Sequence, residues 1–223
     1  MSLSLPLIGA ALGMLAGLSL VPITRRSLSA ALVRSGEAAS ATRPLQAPWH
    51  RAALILASGL LCGAVLLRTG GPAAEIPPLV LMVALIQLAY CDLTHFLLPR
   101  TMVNATTVAV ALSAVAVAAT TGSWHRLFLA GIGGAALFGV LLAINLMNPT
   151  WMAFGDVRLA PAIGTGLAWI DPRALFQGFL LANVLAAVVG LVLMGRQRGG
   201  RKTALPFGLY LALGSAAVIF FWS

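Results

Sequence analysis

The sequence predicts an all-α membrane protein: one polytopic helix bundle over residues 1–223, with about eight transmembrane segments and both termini outside. Three observations lead there. Of the 223 residues, 60% are hydrophobic and 9% charged, with a mean hydropathy of +0.99; a soluble domain is about 25% charged and solvates its surface with those groups. The apolar residues lie in long segments, which implies helices, because membrane barrels alternate over segments of about ten residues. The basic residues collect in alternate connections. In a soluble protein a net charge of +9 would point to nucleic acid. Here cytoplasmic loops and anionic lipid account for it, and no polar cluster is large enough to grip a duplex. The partner implied is membrane lipid, not nucleic acid.

Leu3–Ile23 is the first segment. No Lys or Arg precedes it and Arg25-Arg26 follow, a charge order that marks a retained anchor with its N-terminus outside. Gly9, Gly13 and Gly17 share one face, where another helix can pack closely. Residues 24–50 form the longest polar loop, with Arg25, Arg26, Arg34 and Arg43 against the single acid Glu37. Ala52–Leu67 is the second segment, and Thr69-Gly70-Gly71-Pro72 a turn. Ile76–Cys91 is the third, with Pro77-Pro78 in its first turn, where proline is tolerated. Met102–Ala119 and Leu127–Met147 are the fourth and fifth; the fifth carries Gly131, Gly133, Gly134 and Gly139. Val157–Ile170 is short for a span unless it starts or stops inside the protein. Ala174–Met194 and Leu205–Trp222, joined by the basic turn Gly195–Lys202, complete the set.

If all eight cross, inside loops hold eleven of the fourteen basic residues and outside loops three, Arg68, Arg126 and Arg173. The positive-inside rule is then met at every inside loop. Asp92 and Asp156 fall at the cytoplasmic ends of their segments. Glu75 and Asp171 fall outside. The location expected is the cytoplasmic membrane, with these two aspartates facing the cytoplasm.

The chain holds five acids, Glu37, Glu75, Asp92, Asp156 and Asp171. Ionisable groups at a membrane edge are costly and are usually paired or functional. Two carboxylates on one side can hold a water and share a proton. One takes a proton from the water and the other polarises a carbonyl, which is general acid–base hydrolysis. Like charges held close cannot both ionise cheaply, so their apparent pKa values split. The structural alternative has Asp92 and Asp156 as helix-end residues paired with Arg100 and Arg158. Other chemistries lack parts: there is no Gly-x-Ser-x-Gly elbow, HExxH or phosphate loop. His50, His95 and His125 are too scattered for a metal site. Cys62 and Cys91 read as buried free thiols. No cofactor and no metal is expected.

Tyr90-Cys91-Asp92-Leu93-Thr94-His95-Phe96-Leu97-Leu98-Pro99 resembles the first motif of type IV prepilin peptidases. Ala153-Phe154-Gly155-Asp156-Val157-Arg158-Leu159 resembles their second, the GxGD motif. Thr203-Ala204-Leu205-Pro206-Phe207-Gly208 resembles the Pro-Phe-Gly entry to their final helix, and Leu12-Gly13 to Arg26 is a looser match to their first. The resemblance covers most of the chain in order. It implies a membrane aspartic endopeptidase that removes the cytoplasmic leader from pilin-like precursors of type IV pili and protein secretion, with catalytic Asp92 and Asp156. Pro99, Gly155, Arg158, Pro206 and Gly208 fall at supporting positions of the matched motifs.

Ala153 replaces the first glycine of GxGD, and Leu98 and Arg100 stand where isoleucine and a smaller polar residue are usual. Bifunctional members also N-methylate the new terminus and carry a large cytoplasmic loop with paired cysteine motifs. Residues 24–50 are short and contain no cysteine, so peptidase activity is expected without a zinc-binding or methyltransferase domain.

Gly155 is expected to allow close backbone approach or a positive φ beside Asp156. Asp156 at a helix N-terminus and Asp92 at a C-terminus would make Asp156 the more acidic member through the helix dipoles. His95 shares a face with Asp92 or is an interfacial residue without a catalytic role. The first rival reading is a small transporter or assembly factor using the two aspartates for protons or a cation. The second is a GxGD protease of signal peptide peptidase type; those carry adjacent Tyr-Asp, whereas Cys91 separates Tyr90 from Asp92 here. Substrate identity and oligomeric state are not legible in the chain.

Overall fold

A computed structural model describes residues 7, 10–11, 13–18, 22, 26, 48–69, 76–95, 99–148, 154–196 and 207–221. Among them every regular element is a helix. We number these α1 (Pro48–Thr69), α2 (Ile76–His95), α3 (Arg100–Thr121), α4 (Trp124–Met147), α5 (Phe154–Ile170), α6 (Pro172–Arg196) and α7 (Phe207–Phe221). Residues 13–18 are also helical. Apart from Arg26, the loop 24–47 lies outside the described residues, as do the basic turn beyond Arg196, Pro206 and both termini.

The helix starts follow their sequences. Proline opens α1 and α6, where its missing N–H is not needed. Asp171 precedes Pro172 and its Oδ1 accepts the Arg173 amide at 2.7 Å, an acid supporting a helix N-terminus. Pro99 stands before α3, buried, with φ −61° and ψ 121°. Its carbonyl accepts the Met102 and Val103 amides at 3.0 and 3.1 Å.

Most of the expected segments gain a few residues at one end or both, because helical backbone runs on through polar residues, while the last is described over Phe207–Phe221. The third reaches His95, which places Asp92 inside the last turn of α2. The sixth starts at Phe154, which places Asp156 in the first turn of α5. Three described helices are long and apolar enough to cross a membrane: Arg100–Thr121, Trp124–Met147 and Pro172–Val192. They carry exposed large side chains along their length, such as Val108 and Leu112 in α3, Phe128 and Val140 in α4, and Leu180 and Val188 in α6. Water would penalise such faces and lipid solvates them. Ala52–Leu66, Ile76–Asp92 and Gly208–Phe221 are shorter apolar stretches.

The short segment has a physical explanation. At 17 residues α5 is about 25 Å long, less than the ~30 Å of a hydrocarbon core. It packs against α2, α3, α4, α6 and α7, and eleven of its residues are buried. Protein, not lipid, surrounds it. The main core, with Leu81, Leu85 and Leu88 of α2 and Leu159, Ile163 and Leu167 of α5, lies along this helix. A smaller cluster of Ala114, Val117, Ala118, Ala130 and Trp169 lies at its C-terminal end.

Small residues set the closest approaches. Gly133 and Gly134 of α4 face Gly164, Thr165 and Ala168 of α5, the most extensive contact between described helices. Gly214 of α7 approaches Gly178 and Ala182 of α6. Gly13 and Gly17 lie against Ser58, Cys62 and Ile55 of α1, which is the packing role expected for that stripe; Gly9 is outside the described residues. The α3–α4 turn needs glycine for another reason: Gly122 has φ +71° with open space around its Cα. Gly122→Ala is therefore expected to destabilise by about 1–2 kcal/mol through backbone strain alone, read as a lower melting temperature in detergent.

Candidate active site

Helix packing brings the two aspartates to one end of the bundle. Leu81, Leu85, Leu88 and Asp92 recur at spacings of four, three and four and line one face of α2. Asp156, Leu159, Ile163 and Gly166 line one face of α5 in the same way. Gly166 packs directly on Leu81: a Cβ built on the glycine would lie 2.6 Å from Leu81 Cδ2. Counting from that contact in opposite directions, Asp92 is about 16 Å along α2 and Asp156 about 15 Å back along α5 at the helical rise. The two antiparallel helices thus present their acids at the same level.

Both side chains are withdrawn from solvent, with Asp92 4% and Asp156 2% exposed. Their environments differ. Asp92 Oδ2 accepts the backbone N–H of Leu209 at 3.0 Å. Leu209 is the third residue of α7, one of the first four whose amide has no partner within the helix. The start of α7 thus meets the end of α2. Asp156 Oδ1 is buried with no hydrogen-bond partner. Such an atom carries a desolvation cost that a ligand or water can relieve.

The arginines take other roles. The Arg158 guanidinium lies over the Phe154 ring, 4.9 Å from its centroid, a cation–π geometry one turn along the helix surface. Arg100 is exposed at the start of α3. Among the described residues no ion pair joins either arginine to Asp92 or Asp156.

Gly155 corrects one expectation. It sits in the helical first turn of α5, and the positive-φ glycine among the described residues is Gly122. Gly155 therefore does not relieve a left-handed conformation beside Asp156. Gly208 is buried in the first turn of α7, while Pro206 and the His95 side chain fall outside the described residues. Cys62 and Cys91 are buried and neither is in a disulfide. No group of three His, Cys, Asp or Glu gathers among the described residues in a way that could hold a metal ion.

The contact that sequence reading missed is the Leu209 amide. A backbone N–H leaves no mark in residue chemistry. The available signal was Pro206-Phe207-Gly208, since a helix start carries unpaired N–H groups that must point somewhere. That motif reads as shaping a helix start, and the aspartate it meets is 117 residues away.

A model of the Type IV leader peptidase family matches residues 79–192, which takes in Asp92, Pro99, Gly155, Asp156 and Arg158 but stops before α7. The chain is 34% identical over 171 residues to a prepilin leader peptidase/N-methyltransferase of Burkholderia pseudomallei, covering 74% of this chain and 53% of that protein. It is 35% identical over 156 residues to a protein of the same name from Myxococcus xanthus, covering 66% and 44%. A third, from Xanthomonas campestris, is 29% identical over 176 residues, covering 75% and 57%. The chain spans about half the length of the curated relatives it matches. No solved structure matches it. A family match over half the chain, enclosing both aspartates, places this protein in the type IV leader peptidase family.

Proposed function

We propose that the protein is a membrane aspartic endopeptidase that removes the leader peptide from pilin-like precursors, with Asp92 and Asp156 as its two catalytic carboxylates. The observation that carries the reading is that α2 and α5 hold these two buried acids at one end of the bundle, and among the described residues neither Arg100 nor Arg158 forms an ion pair with them. A structural ion pair would look different, since each acid would face its own cation. Family membership supports the substrate class. The relatives' names include N-methyltransferase; the short cysteine-free loop at 24–50 gives that second activity no support here.

The chemistry is general acid–base catalysis without a covalent intermediate. The pair holds one proton and one water between them. The ionised carboxylate accepts a proton from the water as its oxygen attacks the scissile carbonyl. The protonated one donates to the carbonyl oxygen. Gly155, Arg158, Pro99 and Gly208 lie in or beside the helix ends that hold the pair. The eight-segment arrangement with both termini outside puts this site at the cytoplasmic face, where a leader preceding a membrane helix would lie. The basic cytoplasmic loops also contact anionic lipid.

Co-expression with a pilin-like precursor tests this. Wild-type protein removes the leader, and Asp92→Ala and Asp156→Ala each abolish removal at unchanged protein level. Cleavage that survives either substitution rejects the assignment and favours a carrier of protons or cations, for which peptide hydrolysis is not required.

A further inference from the structure

We propose that the first turn of α7 divides the labour between the two acids: the Leu209 amide holds Asp92 as the ionised base, and Asp156, whose Oδ1 is buried without a hydrogen-bond partner, carries the proton. This rests on the peptidase reading of the same two residues and reverses the assignment that the dipoles of α2 and α5 alone suggest.

Two independent observations carry it. A backbone N–H 3.0 Å from Asp92 Oδ2 favours a charged carboxylate, which is a stronger acceptor than a neutral acid. Asp156 Oδ1 is buried without a partner, and burial without a hydrogen bond favours the neutral form. The dipole of α5 acts in the opposite sense on Asp156, which lies in its first turn. That is a diffuse field, whereas the Leu209 bond is direct, and it too comes from a helix N-terminus. The other titratable or charged groups at this end are Tyr90 and Cys91 in α2, Arg100 exposed in α3, Arg158 over Phe154 in α5, and buried Tyr210 in α7; His95 closes α2 and Arg196 closes α6, with side chains outside the described residues. His125, Arg126, Asp171 and Arg173 lie at the other end of α3–α6, which alternate in direction.

The reaction then balances. The Asp92 carboxylate takes a proton from water while the water oxygen bonds to the carbonyl carbon. Asp156 gives its proton to the carbonyl oxygen, leaving a gem-diol. As the C–N bond breaks, Asp92 gives its proton to the departing nitrogen and Asp156 takes one back from a hydroxyl. A new carboxyl group and a new amino terminus leave, and both aspartates are as they began. Leu209 is a positioning residue in this scheme, acting through Asp92.

Leu209→Pro tests the role of the amide. Proline deletes the N–H at a first-turn position where the helix does not use it. Leu209→Ala keeps the N–H and serves as the comparison. Activity needs Asp92 ionised and Asp156 protonated, so the acidic limb of the pH–rate profile reports Asp92 and the alkaline limb Asp156. Losing the bond destabilises the Asp92 anion. The acidic limb should move up by about 1–2 pH units, the size of one hydrogen bond to a charged group, in Leu209→Pro and not in Leu209→Ala. Movement of the alkaline limb with the acidic limb fixed means that Asp92 is the acid, and overturns the assignment. No movement of either limb overturns the positioning role.

Should Leu209→Pro fail to fold, infrared spectra of vesicle-reconstituted protein at neutral pH decide the assignment without needing turnover. The band of a protonated carboxyl group should persist in Asp92→Asn and vanish in Asp156→Asn. The reverse pattern, or equal bands in both, overturns the proposal. Leader cleavage that survives loss of either acid instead overturns the peptidase reading on which the proposal rests.

Discussion

Asp92→Asn and Asp156→Asn should each slow leader removal by about 1,000-fold or more, and the double variant should be no slower than either single one. General acid–base catalysis by one positioned group contributes roughly 10²–10⁴-fold. Groups that act as a unit lose most of that on the first deletion. With one carboxyl gone, no proton remains to be shared across the site, so removing the second has little left to remove. Asparagine suits this test because its carbonyl oxygen can still accept the Leu209 N–H. The contact between α2 and α7 then survives, whereas leucine at the same place would leave a buried N–H unpaired at a cost of about 1–3 kcal/mol. The measurement is cleavage of a pilin-like precursor in lipid vesicles, with the amount of folded enzyme held equal. If the single variants each lost only a modest factor and the double variant lost their product, the acids would be acting independently. The shared-proton description would then be wrong.

The site was legible in part because acids are scarce. Five carboxyl groups in 223 residues leave little noise around Asp92 and Asp156, and each stands where an apolar run stops or starts. The helix ends were close to legible too, since Pro77-Pro78, Pro172 and Gly122 punctuate the chain. What could not be read was nonlocal. That Leu81 meets Gly166, and so levels the two acids, depends on how two helices pack. One of the two readings of Gly155 failed for a local reason: next to an acid it suggests a positive φ, yet here it lies in the helical first turn of α5. The short segment 157–170 looked poor as a span because length was weighed against lipid. Its real surroundings are five helices, which satisfy it at any length.

The contact between α4 and α5 is where packing and chemistry are most tightly joined, and Gly164→Val should be the most damaging substitution outside the site. A Cβ at Gly164 would run into the Gly133 carbonyl oxygen and lie 2.7 Å from the Gly134 Cα. Those are backbone atoms of a packed helix and have no rotamer to move into. Ordinary overpacking costs about 1–3 kcal/mol, and a backbone obstacle puts this case at the upper end or beyond. Asp156 is eight residues upstream on the same helix, so pushing α5 away from α4 also disturbs the level at which the acids meet. Cleavage should fall along with the melting temperature.

Glycine content alone does not give this result, and three other positions separate the explanations. Gly131 and Gly139 lie on α4 with nothing within 4 Å of an added Cβ. Alanine at either should be neutral or slightly stabilising, since it is the better helix former by about 1 kcal/mol. Gly166 is intermediate, because its obstacle is Leu81 Cδ2, the end of a side chain that can turn aside. Melting temperatures of Gly164→Ala, Gly166→Ala and Gly139→Ala in one detergent should therefore rise in that order. If Gly164→Ala were as stable as Gly139→Ala, α4 and α5 would not approach through their glycines. The register that brings Asp156 to Asp92 would then need another source.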